Sequence, residues 1–314
     1  MHLEGVMKYS LIDLHCDTGS VALDKNEGFY KNSLHIGLEK MKDYNYTQFF
    51  AAFIAPEYKE TAMARAMEII KKTKSEILKS SGRMALCKSY KDYCQNEGKI
   101  RAFLSLEGGE PIGSEEALLR LYDEGVRLVA LSWNYKNQIC AGVLEEDETL
   151  GVTEFGKEII ALMNKLGIII DVSHLNDKSF WDVLELSKKP VIASHSNSRT
   201  ICPNKRNLTD EQFLAIKRSG GIVGINFYPY FLTEEKNASV EDIIRHIEHF
   251  LALGGEDFLG IGADFDGVSC LPRNICGAED VSKLFDEMLK YGYKEEIIKK
   301  ISCTNMERFL KENL

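Results

Sequence analysis

Six residues able to hold a cation or move a proton stand at the ends of short apolar runs. In LIDLHCD (11–17), His15 and Asp17 lie two positions apart. A strand alternates its faces with period two, so both would point one way and Cys16 the other. The third such run, IRAFLSLEGG (100–109), ends at Glu107, and the fifth, GIIIDVSH (167–174), at His174. The sixth, PVIASH (190–195), ends at His195, and the eighth, LGIGADFDG (259–267), carries Asp264. Burying these groups singly would cost several kcal/mol each without partners, whereas a metal cluster would partner all of them. Imidazole and carboxylate without thiolate suit zinc, or a related divalent metal such as cobalt or manganese. One catalytic metal needs three protein ligands and a water, so five good candidates point to two metals about 3.5–4 Å apart with a bridging carboxylate. Glu107 is the expected bridge, because its longer side chain can reach across a shared mouth. Two such metals would bring a shared water near neutral pKa and polarise a carbonyl.

The elements that must bring these ends together are legible as alternation. The remaining runs are TQFFAAFIA (47–55), VRLVALSW (126–133) and GIVGINFY (221–228). Runs such as IIID and VIAS are apolar on both faces, as parallel strands covered on both sides should be. Helical patterns separate them at 58–80, 114–124, 153–166, 176–188, 209–219, 239–253 and 279–290, with a last one from about 294. Ser114, Thr153 and Thr209 are the expected caps. Eight strands alternating with helices predict an α/β fold, a TIM-like (β/α)8 barrel of metal-dependent hydrolase type, forming a single catalytic domain over 1–314. Barrel strands deliver their C-terminal ends to one mouth, where active sites are built. An open doubly wound sheet would carry a glycine-rich phosphate turn after its first strand, and HCDTGS is not one.

Composition narrows the partners. The 39 basic and 48 acidic residues leave a net charge of -9, which argues against nucleic acid and gives no basic patch for an anionic membrane. No apolar run of about 18 residues suggests a spanning helix, and the first residues do not read as a secretory signal, so a cytoplasmic location is expected. The eight cysteines form no CxxC and are expected as small core hydrophobes. His246 and His249, in RHIEHF, have no HExxH around them and are expected at the surface. His2 and His35 have no supporting context, and Asp266 is expected to serve a turn or cap.

Taken in order, the HxD at His15 and Asp17, EGG at Glu107, DVSH at His174, SHSNSR at His195 and GADFDG at Asp264 resemble the membrane (renal) dipeptidase family of zinc metallopeptidases, in a soluble bacterial-type form. The resemblance runs from residue 11 to about 310 and includes EDVSKLF and TNMERFL. It implies a barrel with two Zn2+ per chain, His15, Asp17 and Glu107 holding one and Glu107, His174 and His195 the other. NKRN places Arg206 where the family binds the substrate's C-terminal carboxylate, and NFY makes Tyr228 a residue of the substrate pocket. Asp264 corresponds to the aspartate near the scissile bond, where it would accept and deliver protons. The implied activity is hydrolysis of free dipeptides, with tolerance for a D-residue at the C-terminal position, in a homodimer. One segment departs from the pattern. Where mammalian members carry a substrate-binding His in a THNC-like segment, this chain has LSWN, which puts Trp133 in that place. Asn134 or Asn137 would then supply an oxyanion donor. The same metals would serve an amidohydrolase of N-acyl amino acids or lactones, and, more remotely, a non-catalytic barrel binding metal or small molecules.

Overall fold

The computed structural model describes residues 9–235 and 237–314. Its strands, all in parallel pairs, are β1 (Tyr9–Cys16), β2 (Tyr44–Phe53), β3 (Met84–Leu86), β4 (Ile100–Glu107), β5 (Val126–Ala130), β6 (Ile169–Asp171), β7 (Val191–Ile192), β8 (Val223–Ile225) and β9 (Leu259–Ile261). Eight of them run in the order β7-β6-β5-β4-β2-β1-β9-β8. A bridge between Ala193 and Val223 joins the two ends, so the sheet is the expected (β/α)8 barrel rather than an open one. No expectation covers β3. It pairs with Ile100–Ala102 at the start of β4, while β5 takes up the later part of the same strand. The short helices Thr18–Asp24, Leu38–Met41, Tyr90–Gln95 and Pro229–Leu232 are likewise additions, too brief for a periodic signal.

The barrel interior is a layer of Ile12, Leu14, Phe49, Phe103, Leu128, Ile169, Ile192 and Ile222, the branched and aromatic filling that makes such a barrel a packed core. Met306, Phe309 and Leu310 of the last helix complete it. Asn305 donates to the Leu259 carbonyl at the start of β9, so this helix seals the end away from the mouth. Ser114, Thr153 and Thr209 cap their helices through their side chains, Thr209 in a full capping box with Gln212. These caps set where each helix begins after its strand.

One irregularity matters for the mouth. Asp13 pairs with Gln48, but the next pair is Cys16 with Phe50. One extra residue therefore sits in β1, a β-bulge that re-aims a side chain. Leu14 stays in the interior layer, Cys16 joins the outer core and His15 turns to the mouth between them. The buried Asp13 carboxylate latches the bulge, accepting from the N–H of His15 (3.2 Å) and of Ala263 beyond β9 (3.0 Å).

Several expectations need correction. Cys16, Cys87, Cys140, Cys202 and Cys303 are buried, but Cys94, Cys270 and Cys276 are exposed. His246 is not at the surface. It is fully buried, on the same stripe of helix Val240–Ala252 as Ile243, Ile247 and Phe250. Its Nδ1 accepts from the Ser198 N–H (3.0 Å) and its Nε2 donates to the Leu232 carbonyl (2.9 Å). His249 is half-buried against Asp210 at 2.7 Å. His35 also has a partner: its Nδ1 accepts from the Asp266 N–H (2.9 Å), and the Asp266 carboxylate accepts from the His35 N–H (2.7 Å) and the Thr18 hydroxyl. Asp266 is thus the turn residue expected of it. His2 lies outside the described residues. Among the described residues, no helix is long and apolar enough to cross a membrane.

Burial pushes the His246 imidazole down to about 4, with its bond to Leu232 opposing. The unfolded chain takes up this proton near pH 6.5, whereas the folded one resists it until about pH 4. Stability from this group is therefore whole above pH 6.5 and declines as pH falls towards 4, by at most roughly 3 kcal/mol. Urea unfolding at pH 7 and pH 5 should show His246→Gln less stable at pH 7 yet losing less on acidification than the parent. An equal loss in both proteins would refute this role.

Candidate metal centre

The six strand-end residues meet at the mouth. Glu107 is at their middle, and its two oxygens face different partners. Oε1 lies 2.8 Å from His174 Nε2 and 3.5 Å from His195 Nε2. Oε2 lies 3.4 Å from His15 Nε2, which is itself 3.5 Å from Asp17 Oδ2 and 3.8 Å from Asp264 Oδ1. The His15 and His195 rings stack with centroids 3.9 Å apart. Two sets of ligand atoms converge closely enough to share an ion: His15, Glu107 and His195, and His15, Asp17 and Asp264. Ligands about 2 Å from a tetrahedral ion lie roughly 3.3 Å from one another, and the separations here run from 2.8 to 3.8 Å.

Local backbone geometry aims these groups. Gly108 has φ 96°, and a Cβ on Gly109 would stand 2.3 Å from the Leu131 carbonyl, so the EGG turn after Glu107 admits no other residue without displacing β5's continuation. His174 (φ 70°) and Asp264 (φ 62°) adopt the left-handed conformation without being glycine. Such residues cost on the order of 1 kcal/mol or more and cluster where function holds them.

Hydrogen bonds then set the tautomers. Asn134 Oδ1, an acceptor, is 2.9 Å from His174 Nδ1, which must carry the proton. The Ser194 hydroxyl donates to Asp171 and so accepts from His195 Nδ1 at 2.7 Å. Both Nε2 atoms are left with lone pairs, and they face each other at 3.0 Å. Two lone pairs so placed require a cation between or beside them. On the other side of Glu107, both ring nitrogens of His15 and Oδ1 of Asp17 are buried without a hydrogen-bond partner. The donor chemistry and these orphaned atoms fit a divalent metal on either side of Glu107.

The electrostatics agree. Burial, reinforced by the charge of Arg206, pushes His174 down to about 4, and burial with the charge of His15 pushes His195 well below its usual range. These two are neutral imidazoles at physiological pH, the form that can bind a metal. Burial would raise Glu107, but the surrounding imidazoles, His15 foremost, hold it well below the carboxylate range. Burial and the neighbouring Glu107 push Asp17 up to about 7, and burial raises Asp264 against the pull of His15. Burial disfavours a charged His15, yet Glu107 and Asp17 outweigh it and hold its pKa well above normal. The His15 side is therefore rich in carboxylate, an excess of negative charge that a divalent cation neutralises.

A cavity of about 620 Å³ opens over this cluster, and Asp17, Glu107, His174, Asp264, Trp133 and Tyr228 line it. Asn226 donates to Asp264 Oδ2 at 3.0 Å and, through its own carbonyl oxygen, accepts from the Tyr228 N–H at 2.6 Å. Arg206 is not part of the lining. It is buried beside the cavity, 5.7 Å from the Phe231 ring, with Nη1 donating to Ser196 (3.1 Å) and with Nε and Nη2 unpartnered. Burial pulls it down to about 10, against Asp264 and Glu107, and it remains a cation at neutral pH. Asn137 cannot be the expected oxyanion donor: its amide donates to Leu131 and accepts from Ile139 and Cys140, closing a turn. Asn134 lines the cavity, but its oxygen is committed to His174.

A family profile described as Membrane dipeptidase (Peptidase family M19) matches residues 4–313. The chain belongs to the membrane dipeptidase family. An uncharacterized dipeptidase of Schizosaccharomyces pombe is 32% identical over 300 residues, covering 88% of this chain and 70% of its own length. An uncharacterized protein in the pqqA 5′ region of Klebsiella pneumoniae is 35% identical over 250 residues, 76% of this chain and 92% of its own. Among solved structures, an M19 dipeptidase superposes with a TM-score of 0.91 at 28% identity, covering 97% of this chain and 98% of the other. A Rhodobacter sphaeroides metallopeptidase, liganded with a phosphinate mimic of the dipeptide L-Ala-D-Ala, gives 0.90 at 27%, with 98% and 99% covered. The chain is accordingly a metal-dependent hydrolase of the dipeptidase class.

Behind the centre of this dipeptidase lie residues that no expectation included: Asp13, Asn134 as an orienting group, Asp171, Ser194 and Asn226. Asp171 is fully buried, and its Oδ1 accepts from the Ser173 and Ser194 N–H groups, both at 2.9 Å. An aspartate three residues before His174, inside an apolar strand, was the available signal in DVSH. Groups that fix a ligand's tautomer typically govern metal affinity ten- to hundredfold. Asp171→Asn should lower divalent-metal affinity by roughly that factor, read by competition with a chromogenic chelator, while the protein still melts cooperatively. Unchanged affinity would mean that the Asp171–Ser194–His195 chain does not set the ligand.

Proposed function

We propose that this protein hydrolyses free dipeptides with two zinc ions at the barrel mouth. His15, Asp17 and Glu107 would hold one ion, and Glu107, His174 and His195 the other. The observation that carries this reading is the placement of Glu107, whose two oxygens face separate imidazole sets 2.8 Å and 3.4 Å away. Zinc, when bound there, supplies Lewis acidity toward the amide carbonyl and a water of lowered pKa. The chain's own residues do the rest. Asp264, steadied by Asn226, receives the water's proton and passes it to the leaving amine. Arg206, buried beside the cavity with Nε and Nη2 unpartnered, would be the group that takes the substrate's C-terminal carboxylate, a fork suited to it, and would so limit substrate length. Tyr228 and Trp133 stand on the cavity walls to either side.

A D-residue at the C-terminal position is part of the proposal. Its support is the Rhodobacter sphaeroides relative bound to an L-Ala-D-Ala mimic, to which this chain is similar in fold over 98% of its length. We further propose that residues 1–314 act as one catalytic unit, as a cytoplasmic homodimer, the commonest closed assembly.

Chelator-stripped protein reloaded with zinc should release amino acids from L-Ala-L-Ala and L-Ala-D-Ala, with activity returning at about two metals per chain by elemental analysis. Glu107→Gln should lose nearly all activity and bound metal, and a fully active variant would end the binuclear reading. Arg206→Met should raise KM for free dipeptides far more than for C-terminally amidated ones, whereas equal effects would remove the clamp. Turnover of N-acyl amino acids or lactones without turnover of dipeptides would transfer the same centre to an amidohydrolase.

A further inference from the structure

The barrel order places two different walls across the mouth from each other. Round the ring run β1, β2, β4, β5, β6, β7, β8 and β9. Phe53 closes β2 and Trp133 follows β5, so they flank Glu107 at the end of β4. Arg206 follows β7, and Tyr228 and Phe231 follow β8, on the opposite arc. A dipeptide whose carboxylate reaches Arg206 and whose amide lies over Glu107 must extend its first residue toward Phe53 and Trp133.

That side of the cavity is an apolar cup. The Phe53 and Trp133 rings meet edge to face, centroids 5.2 Å apart, and Trp133 lies 6.1 Å from the His174 ring. The cup therefore begins beside the scissile position. Val21, Ala55 and Pro56 add apolar surface. Charges at its edge are already satisfied: Arg65 stacks 4.4 Å over the Tyr58 ring and donates to both oxygens of Asp24 at 2.8 Å. Glu57, on the same side, is exposed at the rim, and Asp17 faces the metal cluster rather than the cup. A charged first side chain would lose water against these rings, and pairing a cation with Glu57 at the exposed rim would return little.

We propose that the Phe53–Trp133 cup is the specificity subsite for the first residue of the substrate, and that it selects dipeptides beginning with a large aliphatic or aromatic residue. This rests on the dipeptidase reading above. Trp133 then defines a subsite, and its neighbour Asn134 keeps its own task of holding His174.

The test holds the second residue constant. For zinc-loaded enzyme, kcat/KM is measured on L-Leu-L-Ala, L-Phe-L-Ala, Gly-L-Ala, L-Asp-L-Ala and L-Lys-L-Ala. Leu and Phe should exceed Gly by roughly ten- to hundredfold, with Asp and Lys at or below Gly. Phe53→Ala and Trp133→Ala should each bring the Leu-to-Gly ratio down to within about threefold, and Phe53→Leu, which keeps an apolar wall, should retain most of it. A flat series in the parent enzyme, a preference for charged first residues, or a ratio unmoved by either alanine variant would overturn the subsite while leaving the dipeptidase reading intact. Loss of turnover on all five substrates in the parent, with two metals bound, would overturn both.

Discussion

Two imidazole nitrogens stand 3.0 Å apart with their lone pairs turned to each other and to one carboxylate oxygen, and the rest of the mouth follows from keeping them there. Neither ring is free to flip, because Asn134 and the Asp171–Ser194 pair hold the Nδ1 protons. Buried neutral histidines with nothing but each other to face would be a liability of several kcal/mol. Facing a cation, the same arrangement is a chelate. The low pKa of both rings, set chiefly by burial, keeps them neutral through the physiological range.

Delivering six such side chains to one point strains an ordinary barrel. Period two alone would put Leu14 and His15 on opposite faces, and the bulge in β1 allows one to fill the interior while the other serves the mouth. Asp13 holds that bulge to the backbone beyond β9, so His15 and the Asp264 turn are positioned by one buried carboxylate. At His174 and Asp264 the chain turns through left-handed residues instead. A Cβ on Gly267 would stand 2.3 Å from Oδ of both Asp17 and Asp264, so this glycine lets two carboxylates approach the same place. These left-handed turns and this close approach lie at the C-terminal ends of the strands, while Met306 and Phe309 close the barrel interior at the other end.

That division explains what could be read beforehand. Strands ending in His, Asp or Glu are visible because chemistry needs rare residue types in apolar surroundings, and the barrel follows from their alternation with helices. Residues that act through others are harder to see. Asp13 and Asp171 belong to the same apolar runs as the ligands, but their roles depend on partners over 20 or even 250 positions away. The bulge has no composition of its own. Tyr90–Gln95 and β3 are short and owe their form to the strands they cover. His246 was misplaced for a different reason: a polar type outweighed a position on an apolar stripe with Ile243, Ile247 and Phe250, where the geometry of the helix should have prevailed.

The departure at LSWN also resolves in these terms. Two adjacent residues after β5 face different tasks. Asn134 turns its oxygen to His174 and so belongs to the metal centre, whereas Trp133 turns its ring to Phe53 and the open cavity. A change at position 133 can therefore alter which side chain fits without disturbing the tautomer on which the centre depends. The chemistry is anchored in the strand ends and their buried partners, and selectivity is carried on the loop surface above them, as loops on a rigid barrel allow. Separating the two on neighbouring residues lets the side chain at position 133 change without touching the group that orients His174.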